Sequence, residues 1–156
     1  MKAITLWQPW ASLVAVGAKS VETRSWWTAY RGPLAIHAGA ALRLEHRALC
    51  AEEPFRAALR RGGLTDPRAL PLGGVIAVCE LVDCSLIRRG PEAFLGSSER
   101  MVRPSAQEVA LGDWTPGRYA WCLANVRALP RPISARGRQG LWEWGAPAAI
   151  EEMVSG

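Results

Sequence analysis

The chain has 156 residues, of which 49% are hydrophobic and 21% charged, so it can pack one apolar core and its composition excludes a disordered chain. Its 17 arginines and two lysines outnumber 14 acidic residues, giving a net charge of +5 that suits a polyanionic partner. No apolar run reaches the ~18 residues of a membrane span, and the first residues lack a signal peptide's apolar stretch. We therefore predict a single cytoplasmic domain over residues 1–156 with no membrane partner.

The first quarter of the sequence predicts short strands around one helix. Residues 2–6 favour a strand and residues 10–16 an apolar helix, which Gly17 ends as a C-terminal cap. Alternating β-branched and polar residues over 20–25 indicate a second strand. The apolar run over 33–38 indicates a third, buried strand.

The next part of the chain predicts two helices and then a strand. Residues 42–61 carry helical signals in two pieces, divided at Pro54 because proline disfavours helix at the residue before it. A connector rich in Gly and Pro follows over 62–73. Residues 74–83 then show the strongest strand pattern of the chain, with Glu80 inside it, which predicts a central strand.

Residues 85–116 form the least regular third of the sequence. Gly-Pro, Gly-Ser and Gly-Asp pairs interrupt it repeatedly, so we expect at most short helices over 92–95 and 105–111. Loops of this length in a small domain are often functional.

The last quarter predicts two strands and a terminal helix. Residues 118–129 alternate as a long strand that Pro130 and Pro132 end, and residues 140–144 and 147–154 give a short strand and a helix. Five or six strands with unequal, mostly non-crossover connections argue against an alternating doubly wound fold. We predict an α+β fold, a small, partly closed β-barrel of five to six strands with helices packed outside and a ligand-binding mouth.

Tryptophan and cysteine usage adds two expectations. The eight tryptophans cluster at the two ends of the chain, which predicts that the ends meet in one core. The four cysteines form neither a C-x-x-C pair nor a Cys/His cluster, so we expect buried free thiols, a reducing compartment, and no metal or other cofactor.

The densest group of functional side chains is the run G-A-K-S-V-E-T-R-S over residues 17–25. In an extended strand Glu22 and Arg24 point to one side and Thr23 to the other. One interpretation is a surface ion pair of Glu22 with Arg24 or Lys19, worth ~0–1 kcal/mol. The other is the floor of a pocket, in which Lys19 acts as base or nucleophile and Glu22 accepts its proton or orients a water.

Several motifs in order resemble the ASCH domain family, whose fold is similar to the PUA β-barrel. They are L-W-Q-P-W-A-S-L, G-A-K-S-V-E-T-R-S-W-W, Y-R-G-P-L-A-I-H-A, G-R-Y-A-W and G-R-Q-G-L-W-E-W. The resemblance spans both ends of the chain and most predicted strands, and leaves residues 42–73 and 85–116 uncovered.

The resemblance implies a PUA-like barrel with a cleft that binds RNA or nucleotide-like ligands. Some similar proteins are small amidohydrolases that act on acetylated cytidine, and others have been assigned ribonuclease activity. In the amidohydrolases the family lysine matches Lys19 and a threonine follows three residues later, where this chain has Glu22 with Thr23 beside it. That branch also uses an acidic residue from the middle of the chain. The possible counterparts are Glu80, Glu99 and Glu108.

Residues around the proposed cleft supply stacking and phosphate-binding groups. Trp7 and Trp10 flank Gln8, a combination that can stack a base and hydrogen-bond its edge, although tryptophans in such positions also staple a strand to its helix. Arg31 lies in a Tyr-Arg-Gly loop suited to phosphate or sugar contacts, or to a simple turn.

The two histidines have different expected roles. His37 lies in an apolar strand, where a hydrogen-bonded core position is the ordinary role, whereas the family resemblance places it beside the cleft as an acid–base partner. His46 lies on an arginine-rich helix and is expected to be solvated. Near the C-terminus, Arg138 and Gln139 form either a nucleic-acid-binding lip or a solvated hairpin.

We therefore predict a domain that binds RNA or a modified nucleoside, with Lys19, Glu22, Thr23 and Arg24 as the cleft floor. One alternative is hydrolysis of an amide on a modified pyrimidine, with Lys19 polarised by Glu22 and a water as the attacking group. A second is metal-dependent cleavage of single-stranded RNA, with Glu22 and His37 as ligands. A third is a scaffold that binds a protein partner through exposed tryptophans. The sequence does not predict the oligomeric state.

Overall fold

A computed structural model of the chain describes residues 1–90, 94–95 and 101–156. These residues form eight strands and five α-helices. The strands are β1 (Lys2–Leu6), β2 (Val21–Arg24), β3 (Gly32–Ala38), β4 (Gly74–Leu86), β5 (Phe94–Leu95), β6 (Met101–Val102), β7 (Tyr119–Ser134) and β8 (Leu141–Glu143). The helices are α1 (Trp10–Ala15), α2 (Leu44–Leu49), α3 (Phe55–Arg61), α4 (Ala106–Ala110) and α5 (Ala148–Ser155).

The chain forms two compact units. The terminal unit comprises Met1–Ala18, Pro33–Cys79 and Asn125–Gly156, and the inner unit comprises Lys19–Gly32 and Glu80–Ala124. The predicted single domain over residues 1–156 is not tested by this division and stays a prediction.

Six strands are hydrogen-bonded in the order β2-β7-β4-β3-β1-β8, and β5 pairs with β6 in a separate ribbon. Strands β1 and β3 are parallel, with Thr5 opposite His37, while β8 runs antiparallel to β1 and places Trp142 opposite Ala3. In the inner unit β2 is antiparallel to β7. This mixed sheet with helices confirms the predicted α+β class and strand number.

Apolar side chains of several elements form one cluster of the core in the terminal unit. They are Ala3, Ala35, Val75, Val78, Leu129, Trp142, Trp144 and Ile150. The first and last strands meet in this core, as the tryptophan distribution predicts. The indoles do not share a single core, however, because Trp114 packs with Val21, Ile87 and Ala120 in the inner unit.

Helix α1 ends as its sequence predicts. Gly17 has φ +78°, in the left-handed region that glycine adopts without a steric penalty. Its N–H donates to Val14 O, and the N–H of Ala18 donates to Leu13 O, which is the hydrogen-bond pattern of a Schellman cap.

Strand β7 differs from the prediction because it continues through Pro130 and Pro132 to Ser134. The two prolines are two residues apart, so their backbone nitrogens, which carry no hydrogen, face the same edge of the strand. The N–H of Ala135 donates to Gly73 O, directly before β4, so by strand alternation the Pro130 and Pro132 nitrogens face away from β4. On that side β2 pairs with Tyr119–Cys122, and the later part of β7 needs no donor. Proline there does not interrupt the ladder.

Two further element predictions need correction. Strand β4 continues to Leu86 rather than ending at residue 83. The expected helix over 92–95 is wrong for Phe94–Leu95, which form strand β5, and the rest of that expectation lies outside the described residues. The expected helix near 105–111 is confirmed as α4, where the Ser105 side chain accepts from the N–H of Glu108.

Across the described part of the chain, we find no helix with the length and apolar character to cross a membrane.

Candidate ligand-binding site

Strand β2 divides its side chains between an apolar core and a polar face. Val21 packs in the apolar cluster of the inner unit, and Thr23 is also buried. Glu22 lies opposite Trp121 and Arg24 opposite Tyr119 in the antiparallel register. Directly paired residues share a face of a sheet, so the two charged groups and these two aromatic side chains lie on one side.

Lys19, Glu22 and Arg24 form a row of alternating charge, which we call the ionic row. Lys19 Nζ lies 3.7 Å from Glu22 Oε2, and Arg24 Nη1 lies 4.0 Å from Glu22 Oε1. The Lys19 side chain is 1% exposed and that of Glu22 14%, so these charges are largely removed from water. Lys19 also donates a hydrogen bond to Val21 O. The surface ion pair considered from the sequence is therefore wrong for Lys19.

Arg24 is the most exposed member of the ionic row, with 23% of its side chain accessible. Burial lowers the pKa of Arg24, Glu22 opposes this shift, and nearby Arg118 adds to it. Its guanidinium carbon lies 5.8 Å from the centre of the Trp26 ring, and Trp26 in turn contacts Trp121 edge-on, with ring centres 4.7 Å apart. Indoles therefore border the cationic end of the row.

Thr23 is engaged in a neighbouring polar network. Its hydroxyl oxygen accepts a hydrogen bond from Asp113 N at 3.3 Å, and its carbonyl accepts one from Arg118 Nη2 at 2.9 Å. Arg118 Nε also lies 3.4 Å from Asp113 Oδ2. The Thr23 hydroxyl thus positions the residue 113 segment, and its predicted catalytic role stays a prediction.

Of the three candidate acids, Glu108 contacts the start of β2. Its Oε1 accepts from Ser20 N at 2.5 Å and from Ser20 Oγ at 2.7 Å, and its Oε2 accepts from Val21 N at 3.3 Å. The carboxylate therefore orients the start of β2, directly after Lys19. Glu80 is half-buried in β4, and Glu99 lies outside the described residues.

Arg31 is exposed and reaches back to its own loop. Its Nη1 donates to Thr28 O and Tyr30 O at 2.9 and 2.8 Å, and its Nη2 lies 3.5 Å from Asp83 Oδ1. The guanidinium is thus oriented by the protein, and phosphate binding by Arg31 stays a prediction.

In the terminal unit, Gln8 is fully buried and its amide makes three hydrogen bonds. Its Nε2 donates to Ser12 Oγ and Pro71 O, both at 2.8 Å, and its Oε1 accepts from Ser12 N at 3.0 Å. This amide links the start of α1 to the segment before β4. Base recognition by Gln8, which needs its amide groups to exchange partners, stays a prediction.

Trp7 and Trp10 contact His46 rather than standing alone. His46 meets the two indoles edge-on, with centroid distances of 5.8 and 4.8 Å, and it is half-buried. The expectation that His46 is solvated is wrong, because the tryptophans on either side of Gln8 cover its ring. Trp7 is 44% exposed, and the Arg43 guanidinium lies 4.4 Å from the centre of its ring.

His37 is buried on β3, and its Nε2 lies 2.8 Å from Ala135 O. Gly137 lies against the same imidazole, since a Cβ built there would be 2.6 Å from its Cε1. Arg138 and Gln139 are exposed on the segment that follows. Within the ranges that the structure describes, no three His, Cys, Asp or Glu residues are grouped as metal ligands.

The mixed sheet and the ionic row define an α+β domain with a largely buried row of charged side chains at β2. The ASCH domain family model matches residues 4–132, and the chain belongs to this family.

Two curated relatives share part of the sequence. Activating signal cointegrator 1 of Homo sapiens is 33% identical over 101 residues, which cover 65% of this chain and 17% of the relative. The Mus musculus protein of the same name is 33% identical over 91 residues, covering 58% and 16%. The matched part of this chain thus spans about a sixth of the length of these relatives.

One solved structure matches nearly the whole chain. It is a mutant of the ZmASCH protein from Zymomonas mobilis, with 17% sequence identity, a TM-score of 0.49, and coverage of 99% of this chain and 96% of that one.

Several residues around the ionic row were not predicted from the sequence. Trp121 and Tyr119 lie opposite Glu22 and Arg24 because of the register between β2 and β7. No local sequence pattern specifies that register. Gly112 was also missed, and a Cβ there would lie 3.4 Å from Lys19 Nζ. A Gly-Asp pair in an irregular segment was the available signal, and it predicted only a turn.

Proposed function

We propose that this protein binds RNA or a modified nucleoside, with Lys19, Glu22, Thr23 and Arg24 forming the floor of the site. The ASCH domain has a PUA-like fold that commonly binds RNA, and the chain carries a net charge of +5. The observation that carries the proposal is the ionic row, in which one carboxylate faces two cations. The row keeps one positive charge in excess on a face that also presents aromatic side chains.

The geometry of Arg24 suits it to the ligand phosphate or carbonyl. Its 4.0 Å separation from Glu22 exceeds hydrogen-bond length, so Glu22 attracts the guanidinium without using its N–H donors. Trp26 lies beside this guanidinium and is half-buried, so it can offer ring surface to a base. Trp121 is fully buried and supports Trp26 from behind rather than stacking with a ligand.

A direct test measures fluorescence anisotropy of labelled single-stranded RNA oligonucleotides over 50–200 mM salt, a range in which phosphate contacts weaken affinity steeply. Arg24→Gln should weaken binding and lower the salt slope by about 1 if Arg24 contacts a phosphate. Lys19→Met should weaken binding through loss of the excess charge. Lys2→Met is the matched control, because the 2.6 Å ion pair of Lys2 with Glu143 lies in the terminal unit.

Two results would overturn the proposal. One is the absence of binding by the unchanged protein to both RNA and nucleosides at low salt. The other is binding that Arg24→Gln and Lys2→Met weaken equally, since the ionic row would then have no specific part in it.

Hydrolysis of an acetylated cytidine is the second candidate, supported by the burial of Lys19 beside a carboxylate. In this reaction a water would attack the amide carbonyl, and the products would be acetate and the free amine. Incubation with N4-acetylcytidine followed by mass spectrometry distinguishes the two functions. Release of acetate that Lys19→Met abolishes supports catalysis, whereas binding without product supports the first proposal.

A further inference from the structure

His37 has one nitrogen that is satisfied and one that is not. Ala135 O can only accept, so Nε2 carries the proton and Nδ1 is an acceptor. The residue is 1% exposed, and its Nδ1 finds no hydrogen-bond partner among the residues that the structure describes. A buried acceptor without a donor is destabilising, and native proteins retain few of them.

Thr5 places a second polar atom beside this nitrogen. It lies opposite His37 in the parallel pair of β1 and β3, and its Oγ1 accepts from Trp142 Nε1 at 3.2 Å. The Thr5 hydroxyl therefore keeps its own hydrogen to donate. An acceptor and a donor are thus placed together near the carboxyl ends of two paired parallel strands.

Gly137 covers both atoms. A Cβ built on Gly137 would lie 2.8 Å from His37 Nδ1 and 2.9 Å from Thr5 Oγ1, so only glycine fits without a shift. Its neighbours Arg136 and Arg138 are exposed. The same short segment therefore places backbone against the two polar atoms and guanidinium groups in water.

We propose that His37 Nδ1 and Thr5 Oγ1 form a subsite for one edge of a nucleobase, which becomes accessible when Gly137 moves outward. A base N–H donates to Nδ1, and the neighbouring ring nitrogen or carbonyl of the base accepts from the Thr5 hydroxyl. Arg136 and Arg138 are then available to the phosphate of the same nucleotide. This inference rests on the proposed function, and it assigns His37 a binding role without proton transfer.

Nitrogen NMR of histidine-labelled protein tests the subsite without any mutation. The probes are cytidine and uridine monophosphates, together with N4,N4-dimethylcytidine and 3-methyluridine monophosphates, which lack the relevant N–H. A nucleotide with the N–H should move the Nδ1 resonance of His37 toward the hydrogen-bonded range and leave that of His46 in place. Each methylated analogue should bind about three- to tenfold more weakly, the effect of one neutral hydrogen bond, and should leave His37 unmoved.

Two variants test the same subsite by affinity. His37→Gln keeps an N–H for Ala135 O but removes the acceptor at Nδ1, and Thr5→Val removes the hydroxyl at nearly constant volume. Each should weaken nucleotide binding about three- to tenfold, whereas Thr65→Val, at an exposed threonine, should not change it. Thermal melting checks that the variants fold.

The outcomes separate this inference from the proposed function. If the unchanged protein binds none of the nucleotides or RNA probes, both fail. If it binds them while the His37 resonance stays in place and methylation has no effect, the subsite is wrong and the proposed function remains. Because the NMR measurement uses the unchanged protein, unfolded variants would not prevent this decision.

Discussion

The Gln8 amide of the terminal unit and the ionic row of the inner unit hold buried polar groups in different ways. In the terminal unit, the Gln8 amide is neutral and its three hydrogen bonds span 2.8 to 3.0 Å. In the inner unit, the ionic row is charged and its two ion pairs measure 3.7 and 4.0 Å, longer than hydrogen bonds. Short, complete hydrogen bonds fix a fold, whereas longer pairs leave charged groups able to take a further partner.

Neutralising Glu22 tests the ionic side of this comparison and should have the largest effect. Glu22→Gln leaves Lys19 and Arg24 without their shared carboxylate, and breaking a buried pair in this way costs ~3–5 kcal/mol of unfolding free energy. Urea unfolding measures the loss. The control is Glu53→Gln, whose 2.9 Å pair with Arg56 is closer but exposed, and which should leave the unfolding midpoint unchanged. Equal losses in both variants would contradict the reasoning from burial.

Removing the Gln8 amide tests the neutral side. Gln8→Ala leaves Ser12 and Pro71 O with lost partners in a buried site, so we expect a loss of ~1–3 kcal/mol in urea unfolding. Combining it with Ser12→Ala should cost less than the sum of the single changes, because the two side chains hydrogen-bond to one another. Additive losses would show that the network is not coupled.

Gly137 lies against His37 Nδ1, a buried acceptor of the terminal unit that has no partner among the described residues. Gly137→Ala places a methyl group 2.6 to 2.9 Å from atoms of His37 and Thr5, so the segment must shift, at a cost of ~1–3 kcal/mol for overpacking. Gly145→Ala is the control, since a Cβ there meets no heavy atom within 4 Å. Thermal melting of both variants measures the difference, and equal melting temperatures would contradict the close approach.

Protonation of Asp113 in the inner unit at acid pH should cause the smallest loss of unfolding free energy. The Thr115 hydroxyl and N–H, at 2.6 and 3.1 Å, lower the pKa of Asp113, with Arg118 adding to the shift and partial burial opposing it. A lowered folded-state pKa means that this stability is present above the unfolded value of ~3.9 and is lost as the pH falls through the folded value. Asp113→Asn should reduce the dependence of the unfolding free energy on pH in this acidic range, as measured by urea unfolding. An unchanged profile would show that Asp113 does not contribute to it.

Local patterns predicted most of the elements but not the end of β7. Strand β1, the cap at Gly17 and the helix break at Pro54 depend on neighbouring residues, and the structure has them where the sequence places them. Pro130 was misjudged because the cost of a missing N–H depends on whether a neighbouring strand needs that donor. Pairing of distant segments decides this, and the sequence of one strand does not record it.

The charged residues of the site could be predicted from the sequence, but their burial and contacts could not. The G-A-K-S-V-E-T-R-S run identified Lys19, Glu22 and Arg24, and strand alternation placed the latter two on one face. The use of Glu108 to orient Ser20 depends on a contact across 88 positions of the chain, and Gly112 approaches Lys19 from the same distant segment. His46 was misassigned for the same reason, because a charged helix sequence does not show which indoles cover it.

The pairing of β8 with β1 has a consequence for shortened versions of this protein. The stretch that matches the family model ends at residue 132, before Leu141–Glu143. A fragment cut there would leave Lys2–Ile4 with bare backbone donors and acceptors along one side. An unpaired strand edge can pair with strands of other molecules, so we expect Leu141–Glu143 to protect β1 from such aggregation.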